Sequence, residues 1–307
     1  MGRHNRKCYS GILNHCYQNT FDGKLVFYSV SDFLVYFTIF CVIVPRYKTR
    51  VLGLTLMYDH IHKSMVADSR RELYRCSQNV TSVFVKEHNK TLGRKGPLFR
   101  KPFGSVPKYS DKKARSNLIY LANNPVERYI VELAEQYRWN FLAYYNNNHP
   151  FSEPISKHSA SRHLLWAISI VNKKHSNSEY LTNSLLRTLF KKLKKAEKEQ
   201  LTDYIISKYN IIDYEAAIRF WGSYEKMLTA IHSTTGDEHD LNEVFIGKRD
   251  DVYPKMTSII LKTGKYKDIH EIVSLPADQK IELFNFLFGK TSAQAEQIAK
   301  YLHMKRT

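Results

Sequence analysis

The chain has 307 residues, 43% hydrophobic and 25% charged, enough for a sizeable core and more than one domain. Lys and Arg number 47 against 29 Asp and Glu, a formal charge of +18 that points to a polyanionic partner. Cys8, Cys16, Cys41 and Cys76 form no CxxC pair, which leaves out a disulfide framework and a cysteine zinc site and fits a reducing, intracellular setting.

The basic start Met1–Lys7 leads into no apolar signal region with a small-residue cleavage site. Residues 1–150 carry 23 Lys and Arg against 10 Asp and Glu, a net +13, so the polyanion is expected on this half. Leu25–Val30 is a short β-rich run after the turn Asp22-Gly23. Ser31 or Asp32 can cap the apolar helix Phe33–Val44, and Pro45 stops it. That helix has only twelve apolar-run residues, and a membrane span needs about 20. Val51–Met57 is a strand, continued or returned by His60–Val66. Asp68-Ser69 caps a helix on which Leu73, Cys76, Val80 and Phe84 recur at mostly helical spacing. Gly93–Pro97 breaks it, Leu98–Val106 is extended and basic, and Asp111 opens a helix through Leu121. Strands alternating with helices make this half an α/β or α+β sandwich.

Asn146–Pro150 marks a boundary between residues 1–150 and a mainly helical 151–307. Helices are expected over Ser161–Asn172, Asn183–Gln200, Tyr214–His232, Pro254–Thr263, Ala277–Phe288 and Ser292–Leu302. Thr234–Asp240 reads as an acidic turn, with no metal site at His239.

Met57-Tyr-Asp-His-Ile-His-Lys-Ser-Met65 holds the candidate chemistry. On a strand His60 and His62 share one face while Ile61 enters the other, buried one. Two neutral imidazoles facing out together suit a divalent metal if a third ligand arrives. Such a metal polarises a phosphodiester, and tyrosine can serve as the nucleophile. Tyr120 and Asn124 sit one helical turn apart on one face, and Pro125 is expected to end that helix near Asn124. Tyr145 and His149 are a second i, i+4 pair, disfavoured by the loop-forming Asn146-Asn-Asn148.

Together, Asn14-His-Cys-Tyr-Gln18, Met57–His62, Tyr120-Leu-Ala-Asn-Asn-Pro-Val126 and Tyr137-Arg-Trp139 resemble the single-tyrosine HUH transposases, most closely the REP-associated tyrosine transposases. The resemblance covers residues 10–145 and implies an α+β, ferredoxin-like antiparallel sheet with helices. It says little of residues 151–307, which are expected from their own basic run to form a helical, DNA-binding accessory domain. It implies Mg²⁺ or Mn²⁺ held by His60, His62 and Asn124. It makes Tyr120 the catalytic nucleophile on single-stranded or hairpin DNA, with a 5′-phosphotyrosine intermediate and strand transfer. Arg94, Lys95, Arg100 and Lys101, with Lys191, Lys192, Lys194 and Lys195, are the expected DNA contacts. No membrane association is expected. The protein is expected to be a monomer or homodimer in the bacterial cytoplasm, nucleoid-associated when on DNA. Asp59 and Lys63 depart from the family pattern: Asp59 is expected either to hold a ligating histidine in place or to be an extra ligand, and Lys63 should face away from His62. Alternative readings are an HUH nickase of replication or relaxase type and a non-catalytic DNA-binding protein.

Overall fold

The computed structural model describes residues 8–156, 158–233 and 249–304; Thr234–Asp240 lies outside them. The N-terminal half runs β1 (Leu13–Asn19), α1 (Val30–Ile43), β2 (Thr49–Leu56), β3 (His60–Ala67), α2 (Arg70–Thr91), β4 (Gly104–Lys108) and α3 (Asp111–Glu127). The strands form one sheet in the order β2-β3-β1-β4, with every neighbouring pair antiparallel. The protein is therefore α+β.

The two faces of the sheet are covered differently. Ile61 and Met65 enter a large apolar core with Phe33, Phe37, Phe40 and Phe84 of α1 and α2. The alternate residues His60, His62 and Ser64 face α3, where the Ser64 hydroxyl donates to Asn117 Oδ1 at 2.7 Å. Lys63 points away from His62, as expected, and donates to Gln18 Oε1 at 2.7 Å inside the core. Burial lowers its amine to about 8. α1 is apolar all round because it is buried all round, between the sheet layer and the later helix Lys195–Tyr209.

Several elements differ from expectation. Leu25–Ser29 is not a strand: Val26 and Phe27 donate to the Tyr58 carbonyl at the β2–β3 turn, at 2.7 and 3.2 Å, and pair with no ladder. Ser29, not Ser31 or Asp32, is the N-cap of α1, with Asp32 completing a capping box three residues on. α3 runs through Pro125 to Glu127 instead of ending near Asn124. Pro125 offers no N–H to the Leu121 carbonyl one turn back. Thr55 of β2 supplies the missing donor, its hydroxyl lying 2.8 Å from Leu121 O. Thr55→Val is therefore expected to cost about 1–3 kcal/mol, the penalty of a buried unsatisfied carbonyl. Urea denaturation measures it, and an unchanged midpoint would show that this bond does not sustain the helix.

The second half continues with α4 (Arg162–Ser176), α5 (Asn183–Phe190), α6 (Lys195–Tyr209), α7 (Tyr214–Ile218), α8 (Tyr224–Ser233), α9 (Val252–Lys262), α10 (Ala277–Lys290) and α11 (Ala295–Tyr301). The expected helix 183–200 is two helices, because Leu193 turns into the core. The expected helix 214–232 is also two, parted at Gly222 with φ +86°. The large core runs across residue 150: Leu164, Val171, Leu186 and Ile205 join α1 in it. α9 to α11 enclose a second core with Leu25 and Tyr28.

Candidate active site

The β3 histidines lie beneath α3, so their shared face is covered rather than open. His62 is fully buried and His60 nearly so. The covering helix brings Asn124 over both. His60 Nε2 is 3.2 Å from Asn124 Oδ1, and Asn124 Nδ2 is 3.5 Å from His62 Nε2. The two imidazole rings stand 4.8 Å apart and nearly perpendicular. Tyr120, one turn before Asn124, sets its ring edge-on to His62 at 5.3 Å and is 3% exposed. The structure thus gathers His60, His62, Asn124 and Tyr120 into one cluster.

The other ring nitrogens have partners that orient them. Asp59 Oδ1 lies 2.5 Å from His60 Nδ1. His15 Nε2 lies 3.0 Å from His62 Nδ1. Both Nε2 atoms are left facing the Asn124 amide. Asp59 therefore stands behind His60, on its Nδ1 side and away from Asn124, where it fixes the orientation of the ring. Its carboxyl is held well below the usual range: burial opposes ionisation, but Lys300 and His60 outweigh it. Burial, with His62 and Lys108, holds His15 well below the ordinary imidazole value, so it is neutral.

His15, within the β1 motif Asn14–Gln18, and Lys300 also belong to the site, and local spacing assigns neither of them a role. His15 is at i, i+2 from Tyr17, the register partner of His62 across β1 and β3; pairing of the two strands was the signal. Lys300 of α11 forms an ion pair with Asp59 Oδ2 from 241 residues away, which no local pattern could show. The neighbouring Asp250, raised to about 6 by burial and then by Asp59, sits 3.6 Å from Arg128.

The remaining candidates are dispersed. Tyr145 donates to Glu215 at 3.1 Å and packs on Tyr214 and Tyr224; His149 contacts Ser152 instead. Arg94 is tied to the Pro97 carbonyl at 2.9 Å, whereas Lys95, Arg100 and Lys101 are exposed. The backbone of Arg100 donates to Asn19, the register partner of His60, so these cations border the His60 end of the sheet. Lys191, Lys192, Lys194 and Lys195 are exposed on helices attached to the α1 layer, across the sheet from Tyr120. Of the Tyr137-Arg-Trp139 motif, Tyr137 donates to Leu56 O at 2.7 Å and Trp139 stacks on Phe33 at 4.4 Å, so both brace the fold.

No family model and no curated protein matches this chain. A solved structure is similar. It is that of a REP-associated tyrosine transposase bound to a REP hairpin, 14% identical, covering 45% of this chain and 81% of that one with a TM-score of 0.39.

Among the described residues no three His, Cys, Asp or Glu side chains form a metal-binding group; beside His60 and His62 the side-chain oxygen at hand is that of Asn124. Octahedral Mg²⁺ at about 2.0–2.1 Å places adjacent ligand atoms about 3 Å apart, close to the 3.2 Å between Asn124 Oδ1 and His60 Nε2. Towards His62 the amide presents Nδ2, a donor and not a ligand atom, so the amide must turn to offer its oxygen to both rings. Two imidazoles with one amide oxygen make a mixed nitrogen–oxygen donor set. Among the described residues no helix is long and apolar enough to cross a membrane.

Proposed function

We propose that this protein is a metal-dependent, single-stranded DNA endonuclease and strand transferase of the HUH single-tyrosine type, with Tyr120 as nucleophile. The observation that carries the reading is the convergence of Tyr120 and Asn124 from α3 upon His60 and His62 from β3. The β-α-β-β-α-β order with sheet order β2-β3-β1-β4 supports a ferredoxin-like domain as its frame. The net positive N-terminal half supports DNA as the substrate, in single-stranded or hairpin form.

His60, His62 and Asn124 would hold Mg²⁺ or Mn²⁺, which supplies Lewis-acid polarisation of the scissile phosphate. Tyr120 Oη forms a bond to phosphorus as the phosphorus–O3′ bond breaks. The phenol gives up a proton and the leaving 3′-oxygen gains one. The product is a 5′-phosphotyrosine and a free 3′-hydroxyl, and attack by another 3′-hydroxyl reverses the step. Packing of the Tyr120 ring edge-on to His62 fixes the phenol, and α3 covers both imidazoles.

Incubation with labelled single-stranded hairpins and Mn²⁺ should yield a covalent adduct on a denaturing gel, with the label mapping to the peptide containing Tyr120. An adduct mapping to Tyr145, or salt-sensitive binding with no adduct, would overturn the assignment. Asp59→Ala should weaken Mn²⁺ affinity by about 10- to 100-fold, because it frees the His60 ring to turn. Calorimetric titration reads that loss, and unchanged affinity would remove His60 from the ligand set.

A further inference from the structure

On the α1 side of the sheet, three helix ends are fastened together. The Ser161 backbone N–H at the start of α4 donates to Glu197 Oε1 at 2.9 Å, tying α4 to the first turn of α6. His163 Nε2 lies 3.0 Å from the Leu189 carbonyl, tying the same turn to the end of α5. Leu193 is buried between α5 and α6 and anchors the turn that joins them. The corner is therefore built, and its side chains are presented from fixed backbone.

That corner is strongly cationic. Arg162, Lys191, Lys192, Lys194, Lys195 and Lys198 are all exposed, and none holds an ion pair with a described residue. The two carboxylates within the run are turned to structural work: Glu197 holds Ser161, and Glu199 accepts from Arg138 at 2.6 Å. Each of the two acids in the run is engaged by a partner outside it, Ser161 or Arg138, while the six cations point outward.

An aromatic face lies within the same patch. Trp166 is 41% exposed, although indole rings are usually largely buried. Its ring centroid is 4.9 Å from that of His163, at an interplanar angle of 33°. His163 is itself pinned to the Leu189 carbonyl, two residues before Lys191, so the indole has one side supported next to a ring that touches the end of α5. A flat aromatic surface among unpaired cations suits a chain of alternating bases and phosphates. It suits an unpaired strand in particular, because a base face is available for stacking only outside a duplex.

We infer that this corner is a second DNA-binding site, in which a base of single-stranded DNA stacks on Trp166 while the adjoining phosphates lie against Lys191, Lys192, Lys194 and Lys195. The inference rests on the DNA-processing reading for its class of partner, but not on the chemistry at Tyr120. The site lies across the sheet from Tyr120, so it would hold strand outside the cleavage site rather than the scissile phosphate.

The test uses full-length protein carrying Tyr120→Phe, so that binding is read without cleavage. Fluorescence anisotropy with dye-labelled oligo(dT) should show Trp166→Ala weakening binding by about 5- to 100-fold, the range measured for losing one base–aromatic stack. Lys191→Glu with Lys192→Glu should lower the slope of log K against log salt by about 1.4, at about 0.7 per single-strand phosphate contact. Trp166→Phe should restore most of the affinity lost in Trp166→Ala, which a packing role for this exposed ring would not require. Unchanged oligo(dT) affinity in the Trp166→Ala and double-Glu variants would overturn the inference. So would equal losses on blunt duplex DNA, or on vesicles of anionic lipid, which would make the corner a general polyanion surface. With Tyr120 intact, Trp166→Ala should still form the covalent adduct on a short hairpin. Loss of the adduct in Tyr120→Phe alone, with the corner's affinities intact, would separate the two sites.

Discussion

Tyr120→Phe should abolish covalent adduct formation, with cleavage of single-stranded DNA falling by at least about 10³-fold, the scale on which loss of a nucleophile is felt. The expectation is specific to the hydroxyl. The ring packs edge-on to His62 at 5.3 Å and to His15 at 5.7 Å, and phenylalanine keeps both contacts. Fold and DNA affinity should survive, so a thermal melt and an anisotropy titration serve as controls. Tyr145→Phe should leave the adduct intact, because its hydroxyl is engaged with Glu215 at 3.1 Å, among a separate group of tyrosines. Persistence of the adduct in Tyr120→Phe would mean that another tyrosine attacks. His60→Ala with His62→Ala should remove cleavage and its dependence on Mn²⁺ together, while Tyr120→Phe should leave Mn²⁺ affinity unchanged. A double-histidine variant that still cleaved would leave Tyr120 without metal assistance.

The core of this site was legible because its signals are local. His60, Ile61 and His62 need only the two-residue period of a strand, and Tyr120 with Asn124 only the helical turn. Which face would be covered was not legible, because it depends on α3 returning over β3. The expected end of α3 at Pro125 failed for a similar reason: proline removes one donor, and whether the helix survives depends on a partner for Leu121 O. That partner, Thr55, is 66 residues distant. His15 and Lys300 act on His62 and on Asp59 from β1 and α11. Their roles follow from strand pairing and from the packing of the last helices, neither of which leaves a mark in local spacing. The run Leu25–Ser29 has strand composition but finds its backbone partner in one carbonyl, that of Tyr58.

Replacing His270 should be among the most destabilising single changes outside the candidate active site. His270 Nε2 sits 2.9 and 3.0 Å from the two oxygens of Asp32, and its Nδ1 is 2.6 Å from Asp268. Asp32 also accepts from the Tyr28 and Ser29 backbone N–H groups at the start of α1, so the pair fastens the C-terminal core to the N-terminal one. Burial alone would lower the imidazole, but the two carboxylates outweigh it and raise His270 to about 10. Burial would likewise raise Asp32, but His270 and the Tyr28 N–H draw it down to about 2. The raised histidine contributes stability in full below its ordinary 6.5 and loses it as pH rises towards about 10. The lowered aspartate contributes in full above its ordinary 3.8 and loses it as pH falls towards about 2. The pair should thus stabilise most between about pH 4 and 6.5. His270→Ala leaves a buried carboxylate without its cation, at a cost of about 3–5 kcal/mol. Urea denaturation of wild type and His270→Gln at pH 5, 7 and 9 checks this: the gap between their midpoints should be widest at pH 5 and narrow by pH 9. The difference between the curves is the decisive quantity, because Lys63, lowered to about 8 by burial, shifts stability in the opposite direction above that pH. A gap that stayed constant from pH 5 to 9 would show that His270 is held in the core as a neutral ring and that Asp32 is balanced by its backbone donors alone.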